Sequence, residues 1–283
     1  MGKIAIVTDS TADLNTELIE QYNITVVPLN VHFHDEVFKD GVDMTTTSFF
    51  KKLKDTPVPP RTSQPSPGDF QKVYKSLLSS GYQSIISIHI SSNLSGTWQS
   101  ACIARDMLPE EQIQIVNSKS ASMGLGLIVI NTVKRIQEGA SLEDAASYAN
   151  QLVDNSRIMF AVDTLEYLHR NGRIGRAAKL MGGLLNVKPM LYVDNGVVAP
   201  LGKVRGKSKV IPFLVEQAEK FVGDFDGPMD LAVIHAQDPA IAQEITAKVT
   251  EKLKIRDVYQ SEIGSVIGTH TGPGAVGITL QKC

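Results

Sequence analysis

The chain has 283 residues, of which 42% are hydrophobic and 20% are charged, a composition typical of a globular protein with a sizeable core. Lysines and arginines number 28 against 30 aspartates and glutamates, and the net charge of -2 argues against a dedicated nucleic-acid-binding protein. Apolar runs are shorter than the roughly eighteen residues of a membrane span, and two cysteines cannot make a disulfide framework. We therefore expect a cytoplasmic protein without stable membrane insertion.

Strands and helices alternate in the first half of the sequence. Three short apolar runs predict strands, at residues 3–8, 84–90 and 113–116. Helical patterns follow them, at residues 14–22, 98–107 and 124–137. Residues 24–34 are rich in β-forming side chains, the proline-rich segment 56–68 predicts an ordered loop, and Ser141 begins one more helix. This order of elements is typical of parallel β-α-β units.

The pattern changes after about residue 156. Further strands are predicted at residues 158–163, 188–193, 197–204, 229–236, 258–261 and 276–280. A glycine- and arginine-rich helical stretch runs to residue 185, and another helix is predicted at 239–253. Asn195-Gly196 predicts a tight hairpin, because both residue types accept positive φ angles. We predict an α/β protein of two domains, 1–156 with a parallel sheet between helices (α/β/α) and 157–283 with a mixed sheet.

Polar loops follow the predicted parallel strands, at residues 8–11, 91–97 and 117–120. In an open α/β sheet such loops meet at the carboxyl edge, where ligands usually bind. Each loop also leads into a helix, whose free N–H groups attract an anion. Ser, Thr and Asp are also the usual helix N-caps, so the same residues fit a purely structural role. Several such loops together favour an anion-binding site, to which the segment 61–65 adds hydroxyl groups.

The histidines predict no metal site. His32 and His34 are placed on one face of a strand, but no cysteine or carboxylate at a metal-binding spacing completes a ligand set. His89 lies within an apolar strand, and we expect it to be a hydrogen-bonded core residue. His270 lies in the glycine-rich segment 268–274, which predicts a loop whose backbone can approach a ligand closely.

Basic residues are concentrated in two places. Residues 170–176 contain three arginines, among them Arg173. Four more basic residues alternate along a strand-like segment and therefore share one face: Lys203, Arg205, Lys207 and Lys209. Arginine suits a phosphate or carboxylate group on a ligand or a partner, and both clusters equally suit a solvated basic surface.

Five motifs occur in order along the chain: Thr8–Asp13, Thr62–Pro65, Ser91–Thr97, Asn171–Ile174 and His270–Gly274. With these motifs the whole chain resembles the DegV family, the fatty-acid-binding proteins that include the FakB subunits of bacterial fatty acid kinase. The resemblance implies an N-terminal domain with a parallel sheet, a second domain with a mixed sheet, and one long-chain fatty acid between them. It implies no other cofactor and no catalysis by the chain itself.

The resemblance also implies how the fatty acid is held. Carried over by motif, Thr62 and Ser95 should bind the carboxylate, and His270 should join their hydrogen-bond network. The apolar segment 181–191 is a candidate wall for the tail, with ordinary core as the alternative. Asn93 is a small departure within the third motif, and the resemblance assigns it no role.

In the FakB subgroup a separate ATP-dependent kinase phosphorylates the bound fatty acid to an acyl phosphate, a step of phospholipid metabolism. Arg173 and Arg205 match basic positions linked there to docking with the kinase. A lipid carrier without a kinase partner is one alternative. The other is a stand-alone acyl or small-anion hydrolase with Ser95 as nucleophile and His270 as base, although no motif supplies an acidic residue to orient the histidine.

Overall fold

The computed structural model of the chain describes residues 2–109, 112–182 and 187–283. The strands are β1 (Ile4–Asp9), β2 (Ile24–Val27), β3 (Asn30–Phe33), β4 (Glu36–Lys39), β5 (Arg61–Ser63), β6 (Ser84–His89), β7 (Gln112–Asn117), β8 (Ser156–Ala161), β9 (Val187–Asp194), β10 (Val197–Arg205), β11 (Met229–His235), β12 (Asp257–Glu262) and β13 (Val276–Lys282). The α-helices are α1 (Thr16–Gln21), α2 (Thr46–Asp55), α3 (Pro67–Ser79), α4 (Thr97–Asp106), α5 (Met123–Gln137), α6 (Leu142–Asp154), α7 (Glu166–Arg170), α8 (Val210–Val222), α9 (Pro239–Lys252) and α10 (Ser265–Thr271). Short 3-10 helices occur at Ser10–Ala12, Gly175–Leu180 and Lys207–Lys209.

The first half of the chain forms a parallel four-stranded sheet in the order β2-β1-β6-β7. Successive side chains of β1 point to opposite faces, so Ala5 and Val7 pack with α3 and α4 while Ile6 packs with α5 and α6. Helices cover both faces, which is why the central strands β1 and β6 are buried along nearly their whole length. The predicted α/β/α arrangement is confirmed.

The second half forms a six-stranded sheet in the order β10-β9-β8-β13-β11-β12. All neighbours are antiparallel except β11 and β12, so the sheet is mixed, as predicted. The hairpin between β9 and β10 is also confirmed, because Asn195 and Gly196 have φ angles of 49° and 80°. The predicted division after residue 156 falls just after the first residue of β8. Helices α8 and α9 cover one face of this sheet.

Helix α5 packs between the two sheets. All its residues from Met123 to Val133 are buried, which explains an apolar surface on nearly every side. A buried polar cluster also joins it to the second sheet: the Asn131 Nδ2 donates to the Asp230 carboxylate at 2.8 Å, and Arg256 pairs with the same carboxylate at 2.7 Å. The face of the second sheet that is not covered by α8 and α9 contributes Phe160 to a core cluster with residues of α5 and α10.

A small antiparallel sheet, in the order β4-β3-β5, adds to the predicted elements. The β-rich segment 24–34 is divided into β2 and β3, because Pro28 has no N–H group to continue the ladder. The loop predicted at 56–68 is wrong in its second half, which contains β5 and the start of α3. A capping box formed by Ser66 and Asp69 starts that helix just before residue 67.

Two further predictions need correction. The glycine-rich segment 268–274 was expected as a loop, but most of it lies in α10 and its end. Gly268 is needed for packing, since a Cβ there would lie 2.8 Å from a phenylalanine ring. The helical stretch predicted to residue 185 consists of α7 and a 3-10 helix, separated around Gly172 and Gly175, whose φ angles are positive. Residues 183–186 lie outside the described residues.

Candidate ligand site: a cavity where the two sheets meet

A cavity lies where the carboxyl edge of the first sheet meets the second sheet. It contains about 830 Å³ of space free of atoms, its open mouth included. Most of its wall is apolar and comes from both halves of the chain: Leu29, Ile90, Leu94, Ala121, Ile158, Phe160, Leu168, Val193, Val198, Ile234, Ile263, Val266, Ile267 and Ala275. The polar part of the wall consists of Thr62, Ser63, Gln64, Ser95, Ser122, Arg173, His270 and Thr271.

Thr62 and His270 come together from opposite ends of the chain. Thr62 lies on β5, opposite Val31 of β3, and His270 lies in the last turn of α10. The Oγ1 of Thr62 is 2.9 Å from the Nε2 of His270. These two residues, predicted as carboxylate contacts, therefore form one hydrogen-bonded pair in the cavity wall.

The His270 ring is only partly hydrogen-bonded. Its Nδ1 is buried and has no partner among the described residues. Desolvation by burial, helped by the positive charge of Arg173, lowers the pKa of His270 to about 3. At neutral pH the imidazole is therefore uncharged, with one nitrogen as donor and the other as acceptor. It can continue a hydrogen-bond chain through Thr62, but it brings no charge to the cavity.

Ser95 lies in the turn that leads into α4. Its Oγ is 2.8 Å from the Thr97 Oγ1 and accepts a hydrogen bond from the Thr97 N–H at 3.3 Å. In the described part of the chain Ser95 makes no hydrogen bond with His270, whose Nε2 contacts Thr62 instead. A hydrolase would need a contact between nucleophile and base, so this arrangement disfavours the hydrolase alternative.

Arg173 brings the positive charge to the polar wall. Its Nε donates to the carbonyl oxygen of Leu94 at 3.1 Å, and its Nη1 donates to the carbonyl oxygen of Asn171 at 2.8 Å. The guanidinium group is thereby held beside the turn that contains Ser95. Its charge also reaches the ring of His270.

Arg205 lies away from the cavity. It is the last residue of β10, opposite Val187, and its side chain is exposed. It is not part of the described cavity wall. The structure therefore brings four of the five predicted site residues together and leaves the fifth on the surface; the four are Thr62, Ser95, Arg173 and His270.

The described part of the segment 181–191 does not form the cavity wall. Met181 is 46% exposed, and Leu191 is fully buried in the core. Residues 183–186 of the segment lie outside the described residues. Strand β8 contributes to the apolar wall instead, with side chains such as Phe160 that point from the second sheet into the cavity.

Ser122 lines the cavity in a strained conformation, and no sequence pattern singles it out. Its φ of 51° and ψ of -146° fall in a region that essentially only glycine adopts, at a cost of about 1–3 kcal/mol for other residues. Its Oγ donates a hydrogen bond to the buried Asp13 carboxylate. The available signal was its position, two residues beyond the polar loop 117–120 at the carboxyl edge of the first sheet.

The loop 91–97 also connects the two halves of the chain. The Oγ of Ser91 donates to the carbonyl oxygen of Gly196 at 2.8 Å, and the Nδ2 of Asn93 donates to that of Asn195 at 3.1 Å. Asn93 therefore contacts the turn between β9 and β10 rather than the cavity.

His89 is the hydrogen-bonded core residue that was predicted. Its Nδ1 is 3.0 Å from the Oδ2 of Asp9, and its Nε2 is 2.7 Å from the Oγ of Ser87. The hydroxyl group of Tyr74 donates to the same Ser87 oxygen at 2.8 Å. All four side chains are fully buried.

The described residues offer neither a metal site nor a membrane span. His32 contacts the Oγ of Ser63 at 2.8 Å, while His34 lies in the turn after β3 with a φ of 53°, so the two do not share a strand. Among the described residues, no group of three or more His, Cys, Asp and Glu side chains could hold a metal ion. None of the described helices combines the length and the apolar character needed to cross a bilayer.

Comparison with known proteins identifies the family. A family model described as "Uncharacterised protein, DegV family" matches residues 3–282. The chain belongs to the DegV family. It is 37% identical over 282 residues to a DegV domain-containing protein of Caldanaerobacter subterraneus, a match that covers all of both chains.

Solved structures of DegV proteins have the same fold. One, described as showing fatty acid binding of a DegV family protein from Thermus thermophilus, has a TM-score of 0.93 and 34% identity, covering 99% of this chain and 100% of its own. A further solved structure, described as that of a stearic acid-binding protein from Eubacterium ventriosum, has a TM-score of 0.92 and 29% identity, covering 100% of this chain and 98% of its own. The fold described above is therefore that of DegV proteins.

Proposed function

We propose that the protein binds one long-chain fatty acid in the cavity between its two sheets. The tail would lie against the apolar wall, and the carboxylate would lie at the polar wall. The observation that carries the proposal is the combination of a mostly apolar wall with four polar side chains in the same cavity, of which Thr62 and His270 are hydrogen-bonded to each other: Thr62, Ser95, Arg173 and His270. The two similar proteins described as fatty-acid-binding support the same ligand class.

The apolar wall would supply most of the binding free energy. Burying a methylene group contributes about 0.8 kcal/mol, so a sixteen-carbon chain would gain on the order of ten kcal/mol before ordering costs. The carboxylate imposes the opposite requirement, because a charge removed from water must be hydrogen-bonded or paired. The head group therefore determines the orientation of the ligand, and the tail contributes the larger part of its affinity.

The polar wall fits this requirement. The Nε2–H of a neutral His270 would donate to the Oγ1 of Thr62, leaving the threonine hydroxyl free to donate to the carboxylate. The Ser95 hydroxyl would supply a second donor, and Arg173 the balancing positive charge. The protein would thus hold the fatty acid without catalysing a reaction.

We extend the proposal to a partner, a cytoplasmic ATP-dependent fatty acid kinase. The kinase would transfer the terminal phosphoryl group of ATP to the carboxylate, and the acyl phosphate would enter phospholipid metabolism. Arg205 and the neighbouring Lys203, both exposed on β10, are the candidate contacts for the kinase. An exposed row of positive charge suits a partner of opposite charge.

Isothermal titration calorimetry of the delipidated protein with palmitate tests fatty-acid binding. We expect one site per chain and a loss of at least about tenfold in affinity for the double variant Thr62→Val/Ser95→Ala, since each hydroxyl bonds a charged group. The matched control is Thr132→Val/Ser100→Ala, which changes a buried threonine and serine outside the cavity wall and should leave the affinity unchanged. A wild-type protein that binds neither palmitate nor oleate would overturn the proposal.

A further inference from the structure

The side chain of Asp13 joins two parts of the cavity wall that are distant in sequence. One carboxylate oxygen accepts a hydrogen bond from the Ser122 Oγ, and the other accepts the Gly264 N–H at 3.1 Å. The main-chain carbonyl of Asp13 also accepts a hydrogen bond from the Oγ of Ser261. Asp13 is only 6% exposed and does not line the cavity, so it contacts the wall from behind.

The first of these contacts acts on the strained residue of the wall. Ser122 precedes α5 and has a positive φ angle, which a serine keeps only when its surroundings hold it there. The bond to Asp13 is the side-chain contact that does so. Without it, we expect the wall at Ser122 to relax.

The second contact acts on the start of α10. Gly264 precedes this helix, and a Cβ at that position would lie 2.8 Å from the Oδ1 of Asp13. The start of the helix therefore packs directly against the Asp13 carboxyl group. The Oδ1 of Asp40 accepts a hydrogen bond from the next N–H group, that of Ser265, at 3.1 Å. The helix has only about two turns, and its last turn carries His270. A shift at its start is therefore passed on to the His270 ring.

We infer that Asp13 is a positioning residue of the fatty-acid site. It fixes Ser122 and the start of α10, and through α10 it sets the place of the His270 ring. It does so without touching the ligand. The consequence for ligand affinity rests on the proposed function, while the consequence for the His270 ring does not.

The affinity test compares two buried aspartates. Asp13→Asn should weaken palmitate binding by about tenfold, the change expected when the partner of a charge-binding group is misplaced. The control is Asp230→Asn, because Asp230 is also buried and pairs with Arg256 between α5 and the second sheet, outside the cavity wall. The control should lose stability and keep its palmitate affinity. An Asp13→Asn variant that binds palmitate as tightly as the wild type would overturn the inference.

A double variant separates positioning from a general structural role. The part of the Asp13 effect that passes through His270 should vanish when that ring is absent, so Asp13→Asn/His270→Asn should lose less palmitate affinity than the two single losses added together. Independent, additive losses would contradict this route. If Asp13→Asn does not fold, Asp13→Glu replaces it, since this variant keeps the carboxyl group but displaces it.

A ligand-free measurement makes the two possible failures distinguishable. In NMR spectra of the histidine rings, the His270 signals are assigned by their loss in His270→Asn. They should shift in Asp13→Asn, while those of His32 stay in place, and Asp230→Asn should shift neither. Shifted His270 signals in a protein that refuses palmitate would support the positioning role and reject the proposed function. Unchanged signals in a protein that binds palmitate would reject the positioning role alone.

Discussion

Two histidines of this chain have opposite surroundings. His89 is completely buried in the first sheet, and both of its ring nitrogens are hydrogen-bonded, to Asp9 and Ser87. His270 contacts Thr62 through one nitrogen, has no described partner for the other, and borders an open cavity. A buried polar group without a partner lowers stability, so the His270 ring is less well satisfied by the fold than the His89 ring.

The same comparison shows why geometry alone does not make a catalyst. Ser87, His89 and Asp9 have the hydroxyl–imidazole–carboxylate order of a hydrolase, yet each is 0% exposed, so no substrate reaches them. Ser95 and His270 are accessible from the cavity but are not hydrogen-bonded to each other. The first group is structural, and the second suits binding.

Removing the buried histidine, His89, should have the largest effect on stability. His89→Leu leaves the buried Asp9 carboxyl group and the Ser87 hydroxyl group without their imidazole partner, and we expect the free energy of unfolding to fall by about 2–4 kcal/mol. Urea unfolding followed by circular dichroism measures this change. A loss below about 1 kcal/mol would mean that the network adds little to the stability of the sheet.

The same substitution at His270, in the cavity wall, should change stability little and palmitate affinity strongly. His270→Leu removes a ring that is already partly unsatisfied, so we expect the free energy of unfolding to change by less than about 1 kcal/mol. Palmitate affinity should fall about tenfold to a hundredfold, because Thr62 loses its partner. A destabilised His270→Leu protein with intact affinity would reverse the comparison.

The dependence of stability on pH should also distinguish His270. Between about pH 6.5 and pH 3 the unfolded His270 binds a proton and the folded one does not. The free energy of unfolding therefore decreases as the pH is lowered through this window, by up to about 1.4 kcal/mol per pH unit. Burial raises the pKa of Asp13 and Asp40, and their contribution has the opposite sign: it is full below about pH 3.8 and is lost as pH rises through their folded pKa. Subtracting the His270→Asn curve from the wild-type curve cancels the carboxyl contribution. A flat difference in this window would contradict the buried, neutral state of His270.

The smallest expected effect compares two arginines. Arg173→Gln removes the charge beside the polar wall and should weaken palmitate binding by about fivefold, or ~1 kcal/mol. Arg205→Glu lies outside the wall and should leave that affinity unchanged while lowering acyl phosphate formation by a fatty acid kinase. Calorimetry and a coupled kinase assay measure the two quantities. Equal losses of palmitate affinity in the two variants would contradict a head-group role for Arg173 that Arg205 does not share.

Local patterns in the sequence were sufficient to predict the two large sheets but not the small sheet β4-β3-β5. Apolar runs identified β1, β6 and β7, and Asn195-Gly196 identified the β9-β10 hairpin, because these features depend on neighbouring residues. Helix α10 was missed for the opposite reason. The glycines at 268–274 suggested a loop, whereas Gly268 is required by a ring that packs on it from α2.

The candidate site depended on contacts that local patterns cannot reveal. The motifs pointed to Thr62 and His270, but their hydrogen bond spans 208 positions in the sequence. The strained Ser122 is held by Asp13, which lies 109 positions away. The resemblance assigned Arg173 to kinase docking, and only the folded chain places it in the cavity wall.

Native mass spectrometry of the protein as purified, followed by lipid extraction, tests the central claim most directly. We predict a mass excess equal to one long-chain fatty acid per chain, retained by His89→Leu if that variant folds and reduced in Thr62→Val/Ser95→Ala. A wild-type protein without bound lipid that also takes up neither palmitate nor oleate would contradict the claim.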